Sequence, residues 1–399
     1  MTDYTIRTLR PDEHRAAVDL FRATLHVAPT TDEAWASAQR ALQPGRTLGA
    51  FDTDLIGTAR SFDAELTVPG GARAGAAAVT GVGVRADRTR RGILTELMRT
   101  QFADIASRGL PFAALRASEG SIYDRFGYGV GTGSVNIEIN RRRAEFRPDV
   151  PHGGQVDLWS LDTALQRLPE LYAALPHSRA GMLTRPAYWW PAWERHAREA
   201  TSPIVTAVHH GLEGPDGYVV YSVERKGWND PAVLQVIDLH AGSDEAFAGL
   251  WRHLLGVDLV DTIRADERPI DEAPELLFTD IRAVRRTGGG DELWIRLVDV
   301  PTALGARTYD GEPVVLDVVD PVLEGNSGRY HVSPDGVSRT EEAADLRLGP
   351  RALAMIFLGT WRPSQLATAG AVAAPSPAAL ERADRLFGTA RLPWCGTHF

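Results

Sequence analysis

The 399-residue sequence is poor in sulfur and in lysine: one cysteine, Cys395, one lysine, Lys226, and four methionines. A single thiol forms no intrachain disulfide and no cysteine-based metal cluster. That usage predicts a reducing compartment, the cytoplasm. No run of about 20 apolar residues occurs, so no membrane span is expected. The polar stretch Met1–Arg10 reads as a strand, so no signal peptide is expected either. His209, His210 and His398 lack metal-ligand spacing, and no metal is expected. What is present, 44% hydrophobic and 24% charged residues, is a globular composition. The length suggests two to three domains.

Charge is unevenly placed. Residues 1–150 hold 20 arginines against 18 acidic residues, a net of +2, whereas the remainder carries −11 of the overall −9. A slightly basic first third suits an anionic ligand. An acidic remainder disfavours nucleic acid and attracts cations.

The hydrophobic pattern predicts alternating strands and helices over the first 150 residues, hence an α/β or α+β domain on a mixed sheet. A strand near Tyr4–Thr8, helices near Pro11–Thr24 and Asp32–Ala41, and strands at Thr47–Phe51, Leu55–Thr67 and Ala76–Val84 lead to the run Arg85-Ala86-Asp87-Arg88-Thr89-Arg90-Arg91-Gly92. An amphipathic helix and a buried strand at Phe112–Ala117 follow, then the polar, glycine-punctuated segment Ser118–Tyr128. Residues 155–290 show the same strand–strand–strand–helix–strand order, with expected strands at Pro203–Glu213, Tyr218–Lys226, Val233–His240 and Leu259–Arg264. The second copy has no Arg-Arg-Gly run, so its anion site is expected to be lost. Pro148–Gly154 and Gly288-Gly289-Gly290 are taken as boundaries, giving domains 1–150, 151–290 and 291–399. Trp189, Trp190 and Trp193 are expected in a core or a subunit interface. The tail Leu392-Pro393-Trp394-Cys395-Gly396-Thr397-His398-Phe399 is too apolar to fray and is expected to be buried.

A buried strand feeding an Arg/Gly loop and then a helix makes an anion site. The first-turn N–H groups lack intrahelical acceptors, and the helix dipole is positive there. Arg88, Arg90 and Arg91 add charge, and Gly92 lets a phosphate approach the backbone. Residues 76–128 resemble the acyl-CoA-binding core of the GNAT superfamily of N-acetyltransferases. More closely, Val82-Gly83-Val84, Arg90-Arg91-Gly92-Ile93-Leu94 and Ala117-Ser118-Glu119-Gly120-Ser121-Ile122-Tyr123 resemble the enhanced intracellular survival (Eis) family. Val68-Pro69-Gly70-Gly71, Thr279-Asp280 through Trp294, and the terminal Phe399 extend the likeness over the chain. It implies two tandem GNAT-like domains, the second degenerate, and a C-terminal sterol-carrier-protein-like α+β domain. It also implies acetyl-CoA as donor, held by residues 82–84, Arg90–Leu94, Thr95, Ser118 and Glu119, and a homo-hexamer.

Amine acetylation needs no protein nucleophile. It needs a base to neutralise an amine whose ordinary pKa is near 10, and an acid to protonate the departing sulfur. The resemblance implies an acid at Tyr123, whose phenol is protonated at neutral pH; Tyr128 is the rival and reads as structural. It implies a base in the α-carboxylate of Phe399, whose pKa burial would raise. His26, Asp32 and Trp35 are candidates for an acceptor pocket, with a packed Trp35 the alternative. The resemblance implies acetyl transfer to a cationic small molecule, aminoglycoside-like or a polyamine, and the acidic remainder of the chain agrees with it. The alternatives are lysine acetylation on a protein or peptide, and non-catalytic acyl-CoA or lipid binding through the C-terminal domain. Neither nucleic acid nor membrane is an expected partner.

Overall fold

The computed structural model describes residues 3–225, 227 and 230–399. The chain begins with β1 (Thr5–Thr8), α1 (His14–Thr24), α2 (Asp32–Ala38), β2 (Thr47–Phe51), β3 (Leu55–Thr67), β4 (Arg73–Val84), α3 (Ile93–Ser107), β5 (Phe112–Leu115), α4 (Gly120–Tyr123), β6 (Gly129–Val130) and β7 (Gly133–Asn140). It continues through β8 (Gln155–Trp159), α5 (Leu161–Ala174), α6 (Trp190–Glu199), β9 (Ile204–Gly211), β10 (Gly214–Glu224), β11 (Val233–Ala241), α7 (Asp244–Gly256), β12 (Thr262–Pro269), β13 (Val284–Asp291) and β14 (Trp294–Leu297). The last stretch holds α8 (Val300–Ala306), β15 (Val314–Val318), β16 (Gly328–Ser333), β17 (Gly336–Arg339), β18 (Leu346–Leu348), α9 (Pro350–Phe357), α10 (Pro363–Thr368), β19 (Val372–Ala373) and α11 (Pro377–Leu386). No helix among the described residues is long and apolar enough to cross a membrane.

Two compact units result, and neither is one continuous stretch. The first comprises residues 1–132, 179–192 and 292–399; the second comprises 133–178 and 193–291. The first unit's main sheet runs β1-β2-β3-β4-β5-β14-β6, and the second unit's sheet runs β8-β9-β10-β11-β12-β7-β13. Position by position the two orders match, as tandem copies of one fold require. Each sheet, however, takes the strand beside its fifth member from the other half of the sequence. β14 pairs antiparallel with β5 through Trp294↔Leu115 and with β6 through Trp294↔Val130. β7 pairs with β12 and β13. Along the chain the compact units alternate at 132/133, 178/179, 192/193 and 291/292.

Inside the first unit, α3 lays Ile93, Leu97, Met98, Phe102 and Ile105 on the sheet, against Ala50, Ile56, Ala59, Ala77, Val79, Ala113 and Leu115. The i, i+4 spacing makes that stripe, and small strand residues let the helix approach. Each such fully buried side chain contributes about 1.5–3 kcal/mol. The C-terminal part of this unit is a five-stranded sheet, β17-β16-β15-β18-β19, with α9, α10 and α11. It packs tightly on the first sheet: a Cβ at Gly129 would lie 2.4 Å from the Arg351 carbonyl. Arg296 of β14 is wholly buried and donates to Asp320, also wholly buried, and to the Phe126 carbonyl.

In the second unit, Leu250, Trp251 and Leu254 of α7 fill the core against Ala207, Val219, Tyr221, Leu234 and Ile263. Gly288-Gly289-Gly290 lies in β13, at the end of the second unit, and pairs with Asn136, Val135 and Ser134. The approach is close enough that a Cβ at Gly289 would sit 2.6 Å from the Ser134 carbonyl. The strand expected from Leu259 begins at Thr262, because Leu259 has φ +59° and extended pairing cannot start there. The strand expected over Tyr218–Lys226 is β10, which ends at Glu224; Lys226 lies outside the described residues.

Candidate active site

The donor loop starts with an irregularity in β4. Thr58 faces Gly83, but Arg60 faces Thr80, so β4 carries an extra residue. Gly81, at φ +61°, takes the left-handed conformation that such a bulge needs. Parallel pairing of β4 with β5 stops at Ala78↔Ala114. From Val79 to Val84, including Val82-Gly83-Val84, the β4 edge has no β5 partner. Its amides are available to an extended ligand. Gly83 lies under the end of α1, where a Cβ would meet Thr24 at 3.0 Å. The bulge glycine was not among the sequence candidates; a glycine inside a strand pattern is the signal that marks it.

At the start of α3, Gly92 is the N-cap with φ +80°, and no side chain caps the helix. A Cβ there would meet only the Tyr4 hydroxyl, at 3.5 Å. Arg90 also has positive φ, +61°, so two left-handed residues bracket Arg91. Arg88 is already committed to Asp52 and Asp87, and Arg85 to Asp87. Arg90 and Arg91 are exposed and have no carboxylate partner among the described residues. An uncapped helix N-terminus, open space at a glycine and two uncommitted guanidiniums fit the pyrophosphate of coenzyme A. Ile93 contributes only its backbone, because its side chain is core; Leu94 also packs on the core, and Thr95 is half-buried in the first turn. In the second unit the matching helix, α7, is capped by Ser243 and opens with Asp244 and Glu245, which would repel a phosphate.

Beyond β5, Ser118 and Glu119 are exposed, and Glu119 precedes α4. Gly120 packs on β14: a Cβ would lie 3.2 Å from the Trp294 ring. Tyr123 is 7% exposed, and burial pushes its phenol up to about 12. Tyr128, its edge-on neighbour at 5.9 Å, has no exposed surface. The Tyr128 hydroxyl is buried with no hydrogen-bond partner, and burial raises its pKa still further.

The tail is held along its length. Arg179 donates to the Leu392 carbonyl at 2.8 Å, and the Trp394 N–H donates to the Ala180 carbonyl at 2.9 Å. The N–H groups of Cys395 and Gly396 donate to the two Glu292 oxygens at 3.0 and 2.8 Å. Arg185 donates to the Gly396 carbonyl and the Thr397 hydroxyl, and Trp189 Nε1 donates to the His398 carbonyl at 2.7 Å. Gly396 has φ +64°, and a Cβ would come within 2.3 Å of the Trp394 ring. The half-buried Phe399 ring meets Phe62 of β3 edge-on at 5.7 Å. Trp189, expected in a core or interface, thus serves the tail. The Glu292 anchor gave no sequence signal.

The expected acceptor residues belong to the end of α1 and to α2. His26 is exposed, with φ +57°, just past the end of α1 and between the exposed Leu25 and Val27. Asp32, at the start of α2, is exposed and paired with Arg15 at 2.6 Å. Trp35 is half-buried on the same helix. Among the described residues no group of three or more His, Cys, Asp or Glu is placed to hold a metal ion.

Comparison with known proteins agrees with this geometry. Residues 5–131 and 181–297 each match an acetyltransferase (GNAT) domain, and residues 300–396 match a sterol carrier protein domain. An uncharacterized N-acetyltransferase of Streptomyces coelicolor is 40% identical over 372 residues, 88% of each chain. The N-acetyltransferase Eis of Mycobacterium tuberculosis is 34% identical over 348 residues, 84% of each. The crystal structure of Eis1 from Mycobacterium abscessus superposes with a TM-score of 0.92 at 42% identity, covering 99% of this chain and 100% of that one. Two GNAT domains, a sterol carrier domain and these relatives make the chain a member of the Eis family of GNAT N-acetyltransferases.

Proposed function

We propose that the enzyme acetylates an amine of a cationic small molecule, an aminoglycoside-like or polyamine acceptor, with Tyr123 as acid and the Phe399 α-carboxylate as base. The observation that carries this reading is the tail, hydrogen-bonded at Leu392 and at every residue from Trp394 to His398 and ending with the terminal ring against Phe62 of the donor-binding sheet. A tail that served only to close the fold would not need its last carbonyls fixed one by one.

Acetyl-CoA supplies the acetyl group in activated form, as a thioester. Arg90, Arg91 and the first N–H groups of α3 hold its phosphates, and the open β4 edge at Val82–Val84 aligns its amide arm, with Ser118 and Glu119 flanking it. The Phe399 carboxylate takes the proton of the acceptor ammonium. Tyr123 Oη gives a proton to the sulfur. With its pKa pushed up to about 12, that phenol is protonated at neutral pH. Tyr128 is unsuited, because its hydroxyl is sealed in the core. The net charge of −9 favours a cationic acceptor, and this reading assigns its pocket to His26, Asp32 and Trp35.

The interior of the C-terminal domain argues against lipid carriage. Phe357, Phe387 and Tyr330 fill it, and the buried Arg307 stacks on Tyr309, Phe387 and Phe357. The family's homo-hexamer and a cytoplasmic site of action belong to the same proposal; sedimentation velocity giving a monomer would remove the first.

One residue appended after Phe399 tests the scheme. Turnover, read as free thiol released with a panel of polyamines, aminoglycosides and lysine peptides, should fall by about 10²-fold or more, the range of a general base, while acetyl-CoA still binds. Undiminished turnover would remove the carboxylate from the mechanism, and turnover confined to peptides would replace the acceptor class.

A further inference from the structure

The buried carboxylate of Glu292 is used by neither the donor site nor the acid–base pair. It is 2% exposed, and its surroundings are specific. Oε2 accepts from the Cys395 N–H and from the Thr132 hydroxyl at 2.8 Å; Oε1 accepts from the Gly396 N–H, with Arg116 Nη1 at 3.6 Å. Burial raises its pKa, whereas the two tail N–H groups, Arg116 and Thr132 act the other way. Placing a carboxylate in a core costs several kcal/mol unless every oxygen is engaged. A clamp for the fold alone could be built from apolar packing.

Its neighbours indicate what the carboxylate is for. The residues it binds lie three and four positions before Phe399. Arg116 directly follows β5 and opens the segment that leads to Tyr123. Two residues past Glu292, Trp294 packs on Gly120, at the start of the Tyr123 helix. One strand start thus touches both the tail and the Tyr123 segment. It is the strand that the first sheet takes from the far half of the sequence.

We propose that Glu292 is a positioning residue for acetyl transfer, setting the terminal carboxylate against the strand on which the Tyr123 segment also rests. The inference rests on the reading of Phe399 as base. An ionised carboxylate is acceptor-only and can receive two consecutive N–H groups. Glutamine keeps one acceptor oxygen and presents an amide N–H₂ to the other donor. Glu292→Gln should therefore release the tail without changing the donor loop.

The protein carries its own reporter. Cys395 is its one thiol, is fully buried, and is covered by the same contact. In the full-length enzyme, labelling of Cys395 by a thiol reagent should be at least about tenfold faster in Glu292→Gln, because labelling follows local opening. With saturating polyamine, kcat should fall by roughly tenfold or more, and the acidic limb of the kcat/KM profile should move, while acetyl-CoA affinity stays constant. Glu292→Asp, which keeps the charge, should fall between. Thr132→Val, which removes one hydrogen bond to the same oxygen, should shift labelling and kcat in the same direction should Glu292→Gln not fold. Adding Glu292→Gln to the chain extended after Phe399 should cost nothing further, since both act on one base. A folded Glu292→Gln enzyme with wild-type labelling or wild-type kcat overturns the inference. Should the extended chain remain active, the base reading fails by itself, and the thiol still reports whether Glu292 holds the tail.

Discussion

At the scale of single residues, environment separates two tyrosines five positions apart. Tyr123 keeps an exposed edge and Tyr128 keeps none, so of the two only Tyr123 suits the acid of the proposed scheme. Tyr123→Phe is expected to lower kcat by about 10²–10⁴-fold with donor affinity unchanged. Because burial raises the phenol from its ordinary 10 to about 12, the protonated form persists through pH 10, and no alkaline loss of activity below that point arises from this group. Equal turnover in Tyr123→Phe and the parent, or an alkaline limb below pH 10 that vanishes in that variant, would reassign the acid. Arg88 teaches the converse. It reads in the sequence as one of three loop cations, yet Asp52 and Asp87 already claim it.

At the scale of elements, the donor site is a strand that bulges and a helix that starts on a left-handed glycine. Both are backbone features, and both were partly legible: the Arg-Arg-Gly run and the helix periodicity point to the α3 terminus. Gly81 is one of several glycines in an alanine-rich strand, and only the pairing with β3 shows which of them forms the bulge. Replacing Gly92 by alanine should cost about 1–2 kcal/mol at its left-handed position. Acetyl-CoA affinity, measured by calorimetry, should fall as well. Gly305→Ala in α8, where a Cβ meets nothing within 4 Å, is the control and should be neutral or stabilising. Equal effects at the two positions would show that Gly92 is not strained.

For the whole molecule, the decisive feature is the exchange of β7 and β14 between the two halves of the chain. It makes each sheet pair strands more than 120 positions apart in the sequence. In the first unit it also brings in Arg296, whose buried guanidinium is matched by Asp320 of the C-terminal domain. Asp320→Ala would leave that cation unpaired and should cost about 3–5 kcal/mol, read from urea unfolding. A loss below 1 kcal/mol would mean that water or another group reaches Arg296.

Periodicity, turn residues and one charged loop determined by themselves that two similar α+β copies precede a third domain, that the first copy holds a loop and helix start suited to an anion, and that the tail is buried. These are local properties, written in spacings of a few residues. Which sheet β7 or β14 joins, which arginine stays free for a phosphate, and which carboxylate receives the tail were decided only by tertiary structure. Strand pairing uses backbone groups that are alike in every residue, and ion pairs form between side chains that meet only after the chain has folded.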